Sequence, residues 1–243
     1  MGAIMVGGKL YELLHPVTRQ PMPVKRWNDV PNAPVVPEFK PGDGYNKKRV
    51  KPIDLFVFHW TGGEQDPIPM AETLRQRKLG VEFAISRGGT VYQFCDPLVV
   101  DTADAGIVNS RSIGCEIVNY GYRSVWDLRH AFGVPKLGQD REMYAATTHN
   151  STVQTSKFYP CQMDAAFALA NAISGAIPAI TRRVPDGAGV LNVSNTNVLP
   201  NIGVYSGFIG HYQLTKEKRD PGPWFMEELG KQLKLPIVQA ALA

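Results

Sequence analysis

Residues 53–63, Ile-Asp-Leu-Phe-Val-Phe-His-Trp-Thr-Gly-Gly, constrain this chain more than any other stretch. The apolar run from Ile53 to Trp60 predicts a strand, and Thr61-Gly62-Gly63 predicts the turn that ends it. A strand this apolar needs cover on both faces, so it belongs inside a sheet. Side chains alternate along a strand. Leu55, Val57 and His59 therefore share one face, and Phe56, Phe58 and Trp60 the other. The run delivers His59, a residue able to bind metal, where the strand stops and the backbone turns.

The remaining elements follow in order. Residues 1–50 are rich in proline and basic residues and read as an irregular arm with one short helix near residues 9–14. His15, in this arm, reads as an incidental surface histidine. Asp66 and Pro67 suit the N-cap and first position of a helix over residues 67–78, which Gly80 closes. Val-Glu-Phe-Ala-Ile-Ser and Thr-Val-Tyr-Gln-Phe-Cys-Asp flank Arg87-Gly88-Gly89, a β-hairpin pattern. Residues 112–119 predict a second core strand. Residues 120–157 show no clean period and read as loops and a short helix, a candidate groove wall; His130 and His149 there lack metal-ligand spacing. Met163, Ala166, Phe167, Ala170 and Ile173 recur at helical spacing after Tyr159-Pro160, so a core helix runs to about Gly175. Residues 181–203 read as an extended insertion or hairpin, and a last helix starts at Pro223. Strands mixed with helices throughout predict an α/β or α+β domain with a mixed sheet.

The chemistry-bearing residues sit at element ends. A hydrolytic zinc site typically uses three ligands from His, Asp and Glu and keeps a fourth position for water. His59 is one candidate. His211 and Asp220 are the others, nine residues apart, with Asp220 fixed by Asp-Pro-Gly-Pro ahead of a helix. Glu116 is the candidate general base: a carboxylate within Ser-Ile-Gly-Cys-Glu-Ile-Val is costly without a partner or a task. Alternation then turns Cys115 to the core. Lys218, two residues before Asp220, would bring a cation close. Taken singly, each has a plain structural reading: a strand-end histidine, a turn-forming aspartate, a glutamate paired with an arginine, a solvated charge run.

Bulk properties bound the partners. The net charge of +4 is compatible with an anionic polymer such as cell wall or nucleic acid. No apolar run reaches the length of a membrane span, and the N-terminus lacks the pattern of a secretory signal. Cys95, Cys115 and Cys161 are three in number and scattered, which predicts buried free thiols rather than a disulfide framework.

Together these stretches resemble the zinc-dependent N-acetylmuramoyl-L-alanine amidases, the type 2 amidases that share a fold with peptidoglycan recognition proteins. Five pieces stand in family order: VFHWTGG; EFAISRGGTVYQFCD; NSRSIGCEIVN; FYPCQMDAAFALANAI; and IGHYQLTKEKRDPGPWF, with its Lys-x-Asp-Pro-Gly. The similarity spans residues 53–234. Two positions depart from it. Ala103-Asp104 stands where relatives often have an aromatic-His pair, and Val81-Glu82 where many have Tyr or Ser then His.

The resemblance implies a single α/β domain, a central mixed sheet flanked by helices, over residues 51–243 after an arm at 1–50, with insertions at about 120–157 and 181–203. It implies zinc bound by His59, His211 and Asp220, Glu116 as acid/base and Lys218 as oxyanion stabiliser. The expected partner is bacterial peptidoglycan or muropeptides, bound by a monomer without nucleic acid. A phage-type lysin, held in the host cytoplasm before release or carried on the virion, is the expected role. The alternatives are a non-catalytic recognition module and a cytoplasmic muropeptide-recycling amidase.

Overall fold

The computed structural model describes residues 2–29, 36–63, 65–119, 142–148, 151–185 and 202–234. Twelve strands are described: β1 (Ala3–Val6), β2 (Lys9–Glu12), β3 (Val24–Arg26), β4 (Lys47–Lys48), β5 (Leu55–Trp60), β6 (Phe83–Ile85), β7 (Val91–Gln93), β8 (Val100–Asp101), β9 (Ser112–Ile117), β10 (Met143–Thr148), β11 (Ser151–Ser156) and β12 (Gly207–Gly210). Three α-helices are described: α1 (Pro67–Gln76), α2 (Pro160–Ala176) and α3 (Pro223–Leu233).

Six strands form the central sheet in the order β12-β5-β9-β6-β7-β3. It is mixed: β6 and β7 pair antiparallel, and all other neighbours pair parallel. The apolar strand β5 lies inside it, as its composition requires. Phe56 and Phe58 pack with Phe208, Cys115, Ile117, α2 and α3 on one face, while Leu55 and Val57 pack with Val108, Ile209 and Leu214 on the other. Helix α1 covers that second face further along, through Met70, Ala71 and Leu74 against Ala84 and Phe94. Full burial of one such Phe side chain stabilises the fold by about 1.5–3 kcal/mol. The result is a single α/β domain with helices on both sides of a mixed sheet.

The N-terminal segment differs from its expectation. Residues 9–12 are strand, not helix, because Gly7 and Gly8 adopt φ of 60° and 73° and close a two-residue hairpin between β1 and β2. Asp96 accepts hydrogen bonds from both glycine N–H groups, at 2.9 and 2.8 Å. β3 then joins the edge of the central sheet beside β7. His15 is half-buried and tied down: Nδ1 accepts from the N–H groups of Val17 and Thr18, and Nε2 lies 3.2 Å from Asp164.

Residues 143–156, read from sequence as loop and short helix, contain the antiparallel β10–β11 pair. Its Tyr144 ring lies 6.0 Å from that of Trp224 on α3. His130, His149 and most of 181–203 lie outside the described residues. All three cysteines are free; Cys95 and Cys115 are buried and Cys161 is half-buried.

Candidate metal centre

β12 runs parallel to β5 with Gly210 beside Phe58, so His211, the next residue, arrives beside His59. Gly210 must be small: a Cβ there would stand 2.7 Å from the Tyr212 ring and 2.9 Å from Pro221. His211 opens a short 3-10 turn, His211–Gln213, and the Tyr212 N–H donates to the Asp220 carbonyl at 2.9 Å. That bond closes the loop and returns the Asp220 side chain to His211.

The structure brings three predicted residues together. His59 Nδ1 lies 2.9 Å from His211 Nδ1 and 3.2 Å from Asp220 Oδ2, and His211 Nδ1 lies 3.1 Å from the same oxygen. All three residues are buried. Two imidazole nitrogens and one carboxylate oxygen converging on a point are a donor set suited to zinc. Donors about 2.1 Å from a tetrahedral ion stand about 3.4 Å apart. The observed cradle is therefore slightly tighter than the one an ion would hold open, and of the right size and chemistry.

Burial opposes a charge on His59. Hydrogen bonds to Asp104 and Asp220, with the nearby Glu116 carboxylate, outweigh it and raise the imidazole to about 10. His211 moves down, through burial and the neighbouring His59 cation. Burial works against the Asp220 anion too, but the hydrogen bonds from His211 and His59 hold its pKa well below the usual carboxylate range.

Glu116 is on β9 in register with His59 and faces the same side; Cys115 beside it points into the core, as alternation required. Its Oε2 is buried and has no hydrogen-bond partner among the described residues. Burial pushes this carboxyl up to about 7; His59 opposes the rise, and Asp220 and Asp104 add to it. Lys218 is exposed at the lip. His59, Asp104, Glu116, His211, Lys218 and Asp220 line one open cleft of about 310 Å³.

Sequence reasoning missed one member. The Asp104 carboxylate lies 3.1 Å from His59 Nε2, on the far side of the ring from the other donors. The signal available was its place in a departure from the family pattern. The second departure, Glu82, is fully buried and paired with Arg49 at 2.9 Å.

Among solved structures the chain is similar to the endolysin N-acetylmuramoyl-L-alanine amidase LysCS from Clostridium intestinale URNW. Identity is 16% and TM-score 0.46, over 88% of this chain and 98% of that one. It is also similar to AmiD from E. coli, an N-acetylmuramyl-L-alanine amidase solved with anhydro-N-acetylmuramic acid-L-Ala-D-γ-Glu-L-Lys, at 17% identity and TM-score 0.48, over 74% of this chain and 57% of that one. Drosophila peptidoglycan recognition protein SD is a third, at 17% identity and TM-score 0.43, over 88% and 95% of the two chains. No curated protein sequence matches. The sequence model of the N-acetylmuramoyl-L-alanine amidase family matches residues 49–223, well over half the chain, and the chain belongs to that family, the type 2 amidases related to peptidoglycan recognition proteins.

Proposed function

We propose that this protein is a zinc-dependent N-acetylmuramoyl-L-alanine amidase. It hydrolyses the amide between the lactyl group of N-acetylmuramic acid and L-alanine of the stem peptide. The observation that carries the reading is the convergence of His59, His211 and Asp220 beside a buried, unpartnered Glu116 oxygen. A module that only recognises peptidoglycan has no use for that carboxylate.

His59 Nδ1, His211 Nδ1 and Asp220 Oδ2 would hold the ion. Zinc held there would supply Lewis-acid polarisation of the amide carbonyl and would make water acidic enough to react near neutral pH. Glu116 takes a proton from the attacking water and gives it to the alanine nitrogen as the C–N bond breaks. A carboxyl raised to about 7 is matched to both halves of that exchange. Lys218, at the lip of the same cleft, donates to the oxyanion that develops on the carbonyl oxygen. In this reading the enzyme acts as a monomeric phage-type lysin.

The test incubates purified peptidoglycan with wild type, chelator-treated protein and Glu116→Ala, and follows new L-alanine N-termini and zinc content. One zinc per chain, with termini released by wild type and not by the other two, is expected. Zinc without release from wall or soluble muropeptides would leave a recognition module. Release from soluble anhydro-muropeptides alone would make it a recycling enzyme. Absence of zinc would remove the metal site.

A further inference from the structure

One buried polar group that the mechanism above leaves unused is Asp104. Its side chain is 3% exposed, and one of its oxygens, Oδ1, has no hydrogen-bond partner among the described residues. Oδ2 lies 3.1 Å from His59 Nε2. We propose that Asp104 is a positioning residue that holds His59 in the tautomer protonated at Nε2, leaving the Nδ1 lone pair to the metal.

A neutral imidazole carries one N–H, and its other nitrogen accepts. His59 has a carboxylate oxygen near each nitrogen, Asp220 at Nδ1 and Asp104 at Nε2. With Asp220 alone, the proton would settle on Nδ1, pointing into the cradle and blocking it. A hydrogen bond from Nε2–H to Asp104 Oδ2, at 3.1 Å, keeps the proton on the far side of the ring. The partner of a ligating histidine's other nitrogen sets ring orientation and basicity in this way.

The surroundings are built for it. Backbone bonds fix the loop on both sides of Asp104: the Ala103 N–H donates to Asn46 Oδ1 at 3.0 Å, and the Ala105 N–H to Asn109 Oδ1 at 2.6 Å. Gly114 lies between Ser112 and Glu116 on the same face of β9. A Cβ there would stand 2.0 Å from Asp104 Oδ2 and 2.7 Å from its Cγ. The space a side chain at 114 would fill is the space the Asp104 carboxylate occupies.

This inference rests on the zinc reading, and its test separates the two. Zinc affinity is measured by chelator competition on wild type, D104N, D104A, G114A and the D104A/G114A pair, with folding checked by circular dichroism. D104A should bind zinc about 10- to 100-fold more weakly. D104N, whose amide oxygen still accepts from Nε2–H, should fall between it and wild type. G114A should weaken binding although Asp104 remains, and the double variant should be no worse than D104A. In zinc-loaded wild type, the His59 Nε2–H proton should exchange slowly by NMR, and in D104A it should exchange rapidly. Should D104A fail to fold, D104N and its Nε2–H exchange carry the test. Zinc bound as tightly by the folded Asp104 variants as by wild type would overturn the proposal and leave the metal site standing. No zinc on wild type would overturn both.

Discussion

His59 and Glu116 stand opposite each other in register across the parallel β5–β9 pair. Residues directly paired across a ladder project to the same face about 5 Å apart. An imidazole of the donor cradle and an ionisable carboxyl are therefore held at a set separation by two interior strands, not by loops. Histidine sits one residue before the end of its strand, and glutamate one residue before the end of its own. Both open into the cleft while the phenylalanines behind them anchor the sheet.

In the proposed mechanism Glu116→Gln removes proton transfer and leaves the donor cradle intact. Its kcat should fall by about 10²- to 10⁴-fold, the range of a single general acid/base. Zinc content should stay near that of wild type. His211→Ala or Asp220→Ala should instead lose zinc and activity together. Parallel metal analysis and turnover on peptidoglycan check the contrast; a wild-type rate in the Glu116→Gln enzyme would remove Glu116 from the chemistry.

The same substitution should stabilise the metal-free protein at alkaline pH. The Glu116 pKa rises from its ordinary 4.5 to about 7, through burial first. Between those values the native state keeps a proton that the unfolded chain has released. Stability is therefore lost as pH climbs through this window, and the full cost applies above about 7. That rise corresponds to roughly 3 kcal/mol. Chelator-treated Glu116→Gln should be more stable than wild type at pH 8 by up to that amount, and equal to it near pH 4. Urea melts at the two pH values measure the difference, and its absence at pH 8 would mean that the carboxylate finds a partner.

Lys218 is exposed, so its truncation should spare the fold. Its proposed contact forms only as the carbonyl oxygen gains charge. Lys218→Ala should lower kcat by about 10²- to 10³-fold with KM and zinc affinity little changed. A rise in KM at constant kcat would instead assign Lys218 to substrate binding.

Strong local patterns made much of this protein legible in its sequence. The alternation in residues 55–60 gave both faces of β5, and Glu116 in an apolar strand flagged itself by its cost. The β1–β2 hairpin carries a local signal, Gly7-Gly8 between Ala-Ile-Met-Val and Lys-Leu-Tyr-Glu, but Leu10, Leu13 and Leu14 also fit helical spacing, so residues 9–14 alone do not separate strand from helix. β10 and β11 are rich in Ser, Thr and Ala, without the apolar alternation that marks a half-buried strand. The link from Asp104 to His59 joins side chains 45 residues apart, and no local periodicity encodes it.

The Arg49–Glu82 pair is a second buried charge assembly among the described residues, and it should matter to stability. Arg49 donates to Glu82 Oε1 at 2.9 Å and to the carbonyls of Pro97, Asn109, Val100 and Ser112 at 2.8–3.1 Å. Glu82 Oε2 accepts from the Gly114 N–H at 2.7 Å. Arg49 thus ties β4's end and the turn before β8 to β9, the strand that carries Glu116. Arg49→Met leaves a buried carboxylate without its cation and several carbonyls without a donor. Breaking such a pair from one side costs about 3–5 kcal/mol. Glu82→Gln in the same background removes the stranded charge and should recover part of that loss. Urea denaturation of wild type, the single variant and the double variant gives the three stabilities. A single variant within about 1 kcal/mol of wild type would mean that water reaches Glu82 and that the pair is not a structural staple.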